Sequence, residues 1–150
     1  MRNFKKRKSF AGMIAVLVLA TGVAAASALA GSAPPRSGDL VVTKECSGFV
    51  NDPPYCTITS SNLAAIPAGS RIVYLDPAGL GTATGSAVVL DPPRPGNNHA
   101  FGTCFLGSTP MHCEFSGGTG RFTWFHASVV VTVDSKGLWH WAGTYSFTPQ

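Results

Sequence analysis

From residue 40 onward, short runs of β-branched, aromatic and aliphatic residues are broken by Gly, Pro, Asn and Asp. Strands and tight turns leave that trace in a sequence. Eight runs are expected as strands: Leu40–Glu45, Cys56–Ser60, Arg71–Asp76, Ser86–Asp91, His99–Leu106, Met111–Ser116, Ala127–Asp134 and Leu138–Phe147. Beyond residue 30 no window carries a helical period. Asn62–Ile66 has room for one turn before Pro67 and Gly69 end it. Many short strands with regular turn signals predict an all-β barrel or sandwich.

Two hairpins can be read further. Asp134-Ser135-Lys136-Gly137 is a short loop that brings Val133 near Leu138. Ala127, Val129, Val131 and Val133 share one face of the preceding strand. Trp139, Trp141, Tyr145 and Phe147 share one face of the following strand. The other hairpin turns at Gly107-Ser108-Thr109-Pro110. Placing Leu106 opposite Met111 then sets Cys104 opposite Cys113.

The first thirty residues differ from the rest. Arg2, Lys5, Lys6, Arg7 and Lys8 precede an apolar run from Phe10, and Ala28-Leu29-Ala30 offers a cleavage site before Gly31. That order predicts an export signal over 1–30, cleaved after Ala30. The rival is an uncleaved membrane anchor over Ala11–Ala30. The run is rich in Ala and Gly, which favours the signal and leaves no stable membrane anchor after cleavage. Residues 31–38 are small and Pro-rich and are expected to be a flexible lead into one domain, 39–150.

Cleavage changes the charge. The whole chain has a formal net charge of +4, but five of its bases lie in the leader. Six bases and seven acids follow Ala30, for a net charge of −1. Six scattered bases form no stripe of the kind nucleic acid requires, so that partner is set aside. Four cysteines in an exported chain read as two disulfides with three pairings. Cys46–Cys56 and Cys104–Cys113 are favoured, each closing a loop of about ten residues at roughly 2.5–3 kcal/mol. A zinc site is the rival, but the spacings lack paired C-x-x-C knuckles.

Phe115-Ser116-Gly117-Gly118-Thr119-Gly120-Arg121-Phe122 has Gly-Gly-Thr-Gly followed by a base and an aromatic, late in the chain and between two strands. With Phe125–Val131, Trp141–Phe147 and the Cys104–Cys113 hairpin, it resembles the secreted bacterial branch of the allene oxide cyclase/dirigent superfamily. The resemblance is clearest over 97–147. It implies a small antiparallel eight-stranded calycin-like barrel with a cavity, often in homo-oligomers. Members include cyclases of oxylipins and of bacterial natural products, and proteins that steer phenoxy-radical coupling. Acidic and polar residues inside the barrel act in those cases. Glu45, on the first strand, is the acid candidate here, and no catalytic motif maps residue by residue. Gly117, Gly118 and Gly120 are expected to turn a corner between strands. A phosphate loop would need a following Gly-Lys-Ser/Thr and a helix.

Other chemistry finds little support. There is no G-x-S-x-G elbow. His126 and His140 fall five residues apart along the last hairpin, roughly 16 Å, too far to share an ion, and His99 and His112 add no convergence, so no metal site is expected, and no cofactor is called for. Most acids are Asp in turn contexts. Trp139, Trp141, Tyr145 and Phe147 make a large apolar face that suits either a barrel core or a small apolar or aromatic ligand. Phe101 and Phe105, on the opposite parity to Cys104, are candidates for an oligomer or partner surface. Three readings follow: a secreted barrel that binds a small apolar or aromatic molecule, a cyclase or coupling-steering enzyme, and an interaction module with a filled barrel.

Overall fold

In a computed structural model, which describes residues 36–149, period-two alternation closes into a barrel. The expected leader, its cleavage point and residues 31–35 lie outside the described residues. The strands are β1 (Ser37–Glu45), β2 (Tyr55–Ser61), β3 (Arg71–Tyr74), β4 (Ser86–Asp91), β5 (Ala100–Phe105), β6 (His112–Gly118), β7 (Phe125–Val133) and β8 (Trp139–Phe147). Each pairs antiparallel with the next, and β8 returns to β1. Closure satisfies both sides of every strand and leaves no open sheet edge.

Alternation decides which side chains go in. On β1, Leu40, Val42 and Lys44 are buried. Ile58, Ile72, Val88, Leu90, Val129 and Trp141 join them from other strands. Fully burying such aliphatic side chains is worth roughly 1.5–3 kcal/mol each. Aromatic rings fill one half of the interior. Phe125 lies 5.3 Å from Phe122 and 5.1 Å from Phe147, and Phe115 lies 5.5 Å from Trp141.

Both favoured disulfides form, Cys46–Cys56 and Cys104–Cys113. Cys104 and Cys113 face each other in the β5–β6 register, as the turn at Gly107–Pro110 requires. At the glycine corner, Gly117 and Gly120 take positive φ, 77° and 54°. Gly118 is needed for closeness instead, since a Cβ there would strike the His99 carbonyl oxygen. The corner is laced to the chain before β5: Thr119 N donates to His99 O at 2.8 Å, and Arg121 N to Asn98 Oδ1 at 3.1 Å.

Three expectations are corrected. First, β1 starts at Ser37, inside the segment read as flexible, because Ser37 and Gly38 pair with Ser146 and Tyr145. Second, β3 stops at Tyr74 because the Asp76 carboxylate accepts from Gly79 N at 3.3 Å and starts a 3-10 turn, Pro77–Gly81. Third, Val133 pairs with Trp139, not Leu138. Asp134 Oδ1 accepts from both Lys136 N and Leu138 N, which draws Leu138 into the loop. That one-residue shift sets odd positions of β7 against odd positions of β8, so Val131 and Trp141 point inward together.

Candidate functional site

Inward alternation on β1 carries a lysine into the barrel. Lys44 is fully buried, and its Nζ donates to the Tyr74 hydroxyl of β3 at 2.8 Å. Three rings surround the amine: Nζ lies 4.7 Å from the Trp141 centroid, 5.4 Å from Tyr74 and 5.7 Å from Trp139. The salt bridges among the described residues, His99–Asp91 and His140–Asp134, do not involve Lys44. A buried ammonium without a carboxylate is costly. Burial accordingly lowers the Lys44 pKa from 10.5 to about 7. Burial pushes the Tyr74 phenol upward, so it keeps its proton. Tyr74 Oη also lies 3.8 Å from Cys56 Sγ. A half-cystine sulfur has no proton, so there the hydroxyl is the donor.

Above this pair is an apolar pocket of about 420 Å³ lined by Cys46, Phe49, Cys56, Tyr74, Leu106 and Trp139. The Cys46–Cys56 bridge fixes one wall. The 3-10 turn Ser47–Val50 hangs from it and presents Phe49, which is 39% exposed and stands edge-on to Tyr74 at 5.3 Å. Tyr74 is fully buried, so it forms the floor and not the rim. Trp141 is not in the pocket lining; its Nε1 is buried and has no hydrogen-bond partner among the described residues. Buried polar groups are normally paired, and Arg121 Nε and Nη2 share this lack of a partner.

The residues singled out in the sequence divide between two places. Of the aromatic face on β8, Trp139 lines the pocket and Trp141 stands over Lys44. Tyr145 and Phe147 belong to the aromatic cluster that fills the other half. Glu45, the acid candidate, is half-exposed on the outer face of β1 and accepts from Ser47 N at 2.9 Å. Hydrogen bonds from the Ser47 hydroxyl and then from its backbone N–H hold its carboxyl below the usual carboxylate range. The inward residue at this level is Lys44, which sequence reasoning passed over. Its signal was the parity of Leu40 and Val42.

On the outer wall, Phe101 is 45% exposed, and Phe105 stacks on His112 at 4.7 Å. Asp134 Oδ2 meets His140 Nε2 at 2.9 Å, and His140 Nδ1 meets Thr43 Oγ1 at 3.3 Å. This half-exposed chain ties the β7–β8 loop to β1. Among the described residues, His, Cys, Asp and Glu do not gather in threes as a metal site requires.

No family model, curated protein or solved structure matches this chain.

Proposed function

We propose that this is an exported β-barrel protein that binds a small apolar or aromatic molecule at the barrel mouth walled on one side by the Cys46–Cys56 bridge. The observation that carries this reading is the pocket of about 420 Å³, walled by Phe49, Leu106 and Trp139. Its volume falls in the range of small-molecule sites, which are mostly apolar with a few placed polar groups. Two disulfides suit an oxidising compartment, and the leader pattern before Gly31 supplies the route. The closed eight-stranded barrel and the corner at Gly117–Gly120 are what the allene oxide cyclase/dirigent resemblance would require.

The test is titration with a neutral apolar dye, N-phenyl-1-naphthylamine, followed by dye and tryptophan emission. Saturable binding that weakens at least about tenfold in Trp139→Ala is expected, as loss of a buried aromatic contact predicts. Absence of saturable binding would overturn the pocket reading and leave the filled-barrel module.

A further inference from the structure

We propose that Lys44 condenses with an aldehyde or ketone group of the pocket's ligand, so that the barrel takes apolar carbonyl compounds and holds them as an imine. The inference rests on the pocket reading above and names its ligand class.

Three buried groups at and beneath the pocket floor bear on this chemistry. The first is the Lys44 amine, which has no carboxylate partner. The second is the Tyr74 hydroxyl, 2.8 Å from that amine on the pocket floor. The third is the unpartnered Trp141 indole N–H, on a ring that is not in the pocket lining but whose centroid is 4.7 Å from Nζ. The indole lacks an acceptor, and a carbonyl offers an acceptor oxygen beside an electrophilic carbon. An anionic ligand fits less well. The Trp141 and Trp139 rings stand beside Nζ, and their negative faces favour a cation and oppose an anion. A protonated imine would keep its positive charge among those rings.

The step balances without an added oxidant or reductant. The Lys44 nitrogen lone pair attacks the carbonyl carbon, and the C=O π electrons move to oxygen. Tyr74 accepts the nitrogen's proton while giving its own to that oxygen, forming a carbinolamine. Loss of the hydroxyl as water, with a second proton from nitrogen, leaves the C=N bond. Amine and carbonyl become imine and water. Nucleophilic lysines in apolar surroundings are activated by holding the amine neutral. Burial has that effect on Lys44 near neutral pH. Lys44 does not itself line the pocket, so the carbonyl would reach it past Tyr74, beside part-exposed Phe49.

The experiment treats the full, disulfide-bonded chain with cinnamaldehyde and sodium cyanoborohydride near neutral pH, then maps the reduced adducts by mass spectrometry. The hydride of the reagent converts an imine to a stable secondary amine. Lys44 is expected to label at least about tenfold faster than exposed Lys136, because burial holds the Lys44 amine neutral near that pH. N-phenyl-1-naphthylamine should slow labelling at Lys44 and leave Lys136 unaffected. Lys44→Met and Lys44→Arg should lose the pocket adduct, and Glu45→Gln, on the outer face, should keep both the adduct and dye binding. Dye binding without a dye-sensitive Lys44 adduct would overturn the imine and leave the pocket reading standing. Failure of the native chain to bind dye would overturn both.

Discussion

Lys44 Nζ donates to Tyr74 Oη at 2.8 Å across the barrel interior, joining strands β1 and β3 that are not neighbours in the sheet. The pair makes stability depend on pH in a defined direction. The amine's pKa is about 7 in the fold and 10.5 as a free lysine, so between those values the unfolded chain binds more protons. Stability therefore rises with pH across that window, by up to roughly 4–5 kcal/mol. Tyr74 opposes the rise at the upper end. Its folded pKa is raised, so the stability it contributes is lost once the unfolded phenol ionises above about pH 10. Denaturant melts between about pH 7 and pH 10 should show the rise, and Lys44→Met should flatten it. A native chain with no such slope would mean that Lys44 is not buried as an isolated amine.

The two bridges differ in what they hold. Cys104–Cys113 spans a hairpin whose register the turn already sets, so replacing both with Ala should cost roughly 2.5–3 kcal/mol and leave dye binding unchanged. Cys46–Cys56 closes a similar loop but also forms a wall of the pocket. Its removal should cost a similar amount and weaken the dye as well. Thermal melts and dye titrations on the two double variants separate these effects.

Glu45→Gln should leave both dye binding and labelling at Lys44 within about twofold of the native chain, as expected of a surface change. Its carboxylate is on the outer face, bonded to Ser47 N. A large loss in either measurement would mean that Glu45 reaches the pocket.

Close approach between β7 and β8 depends on Gly143, where a Cβ would strike the Ser128 carbonyl oxygen. Gly143→Ala should cost about 2–3 kcal/mol, in the range of overpacked positions. Gly81→Ala meets no atom within 4 Å and should be nearly neutral. Urea melts of the two variants compare them directly.

Strand number and both disulfides were readable in the sequence because period-two alternation and turn residues are local signals. Ser86–Asp91 forms over its expected span. Leu138 was misplaced because its position depends on the Asp134 carboxylate, a side-chain contact that competes with the simple two-strand count. Lys44 was passed over for a different reason. Leu40 and Val42 set its parity inward, but lysine is so seldom buried that its type argued against its position. What permits the burial is non-local: Tyr74 lies thirty residues on, and Trp139 and Trp141 nearly a hundred.

Where the barrel's two chain ends leave it has a consequence for how the protein can be displayed. Phe147 N donates to Arg36 O, and Ser37 pairs with Ser146, so both ends exit together beside the aromatic cluster. Lys44 and Trp139 pair at the far end of the same two strands. Seven residues of strand, roughly 23 Å, separate the exits from the mouth. A tether attached at either end, whether to a surface, a carrier or another domain, would leave the mouth facing away from its anchor and open to solvent.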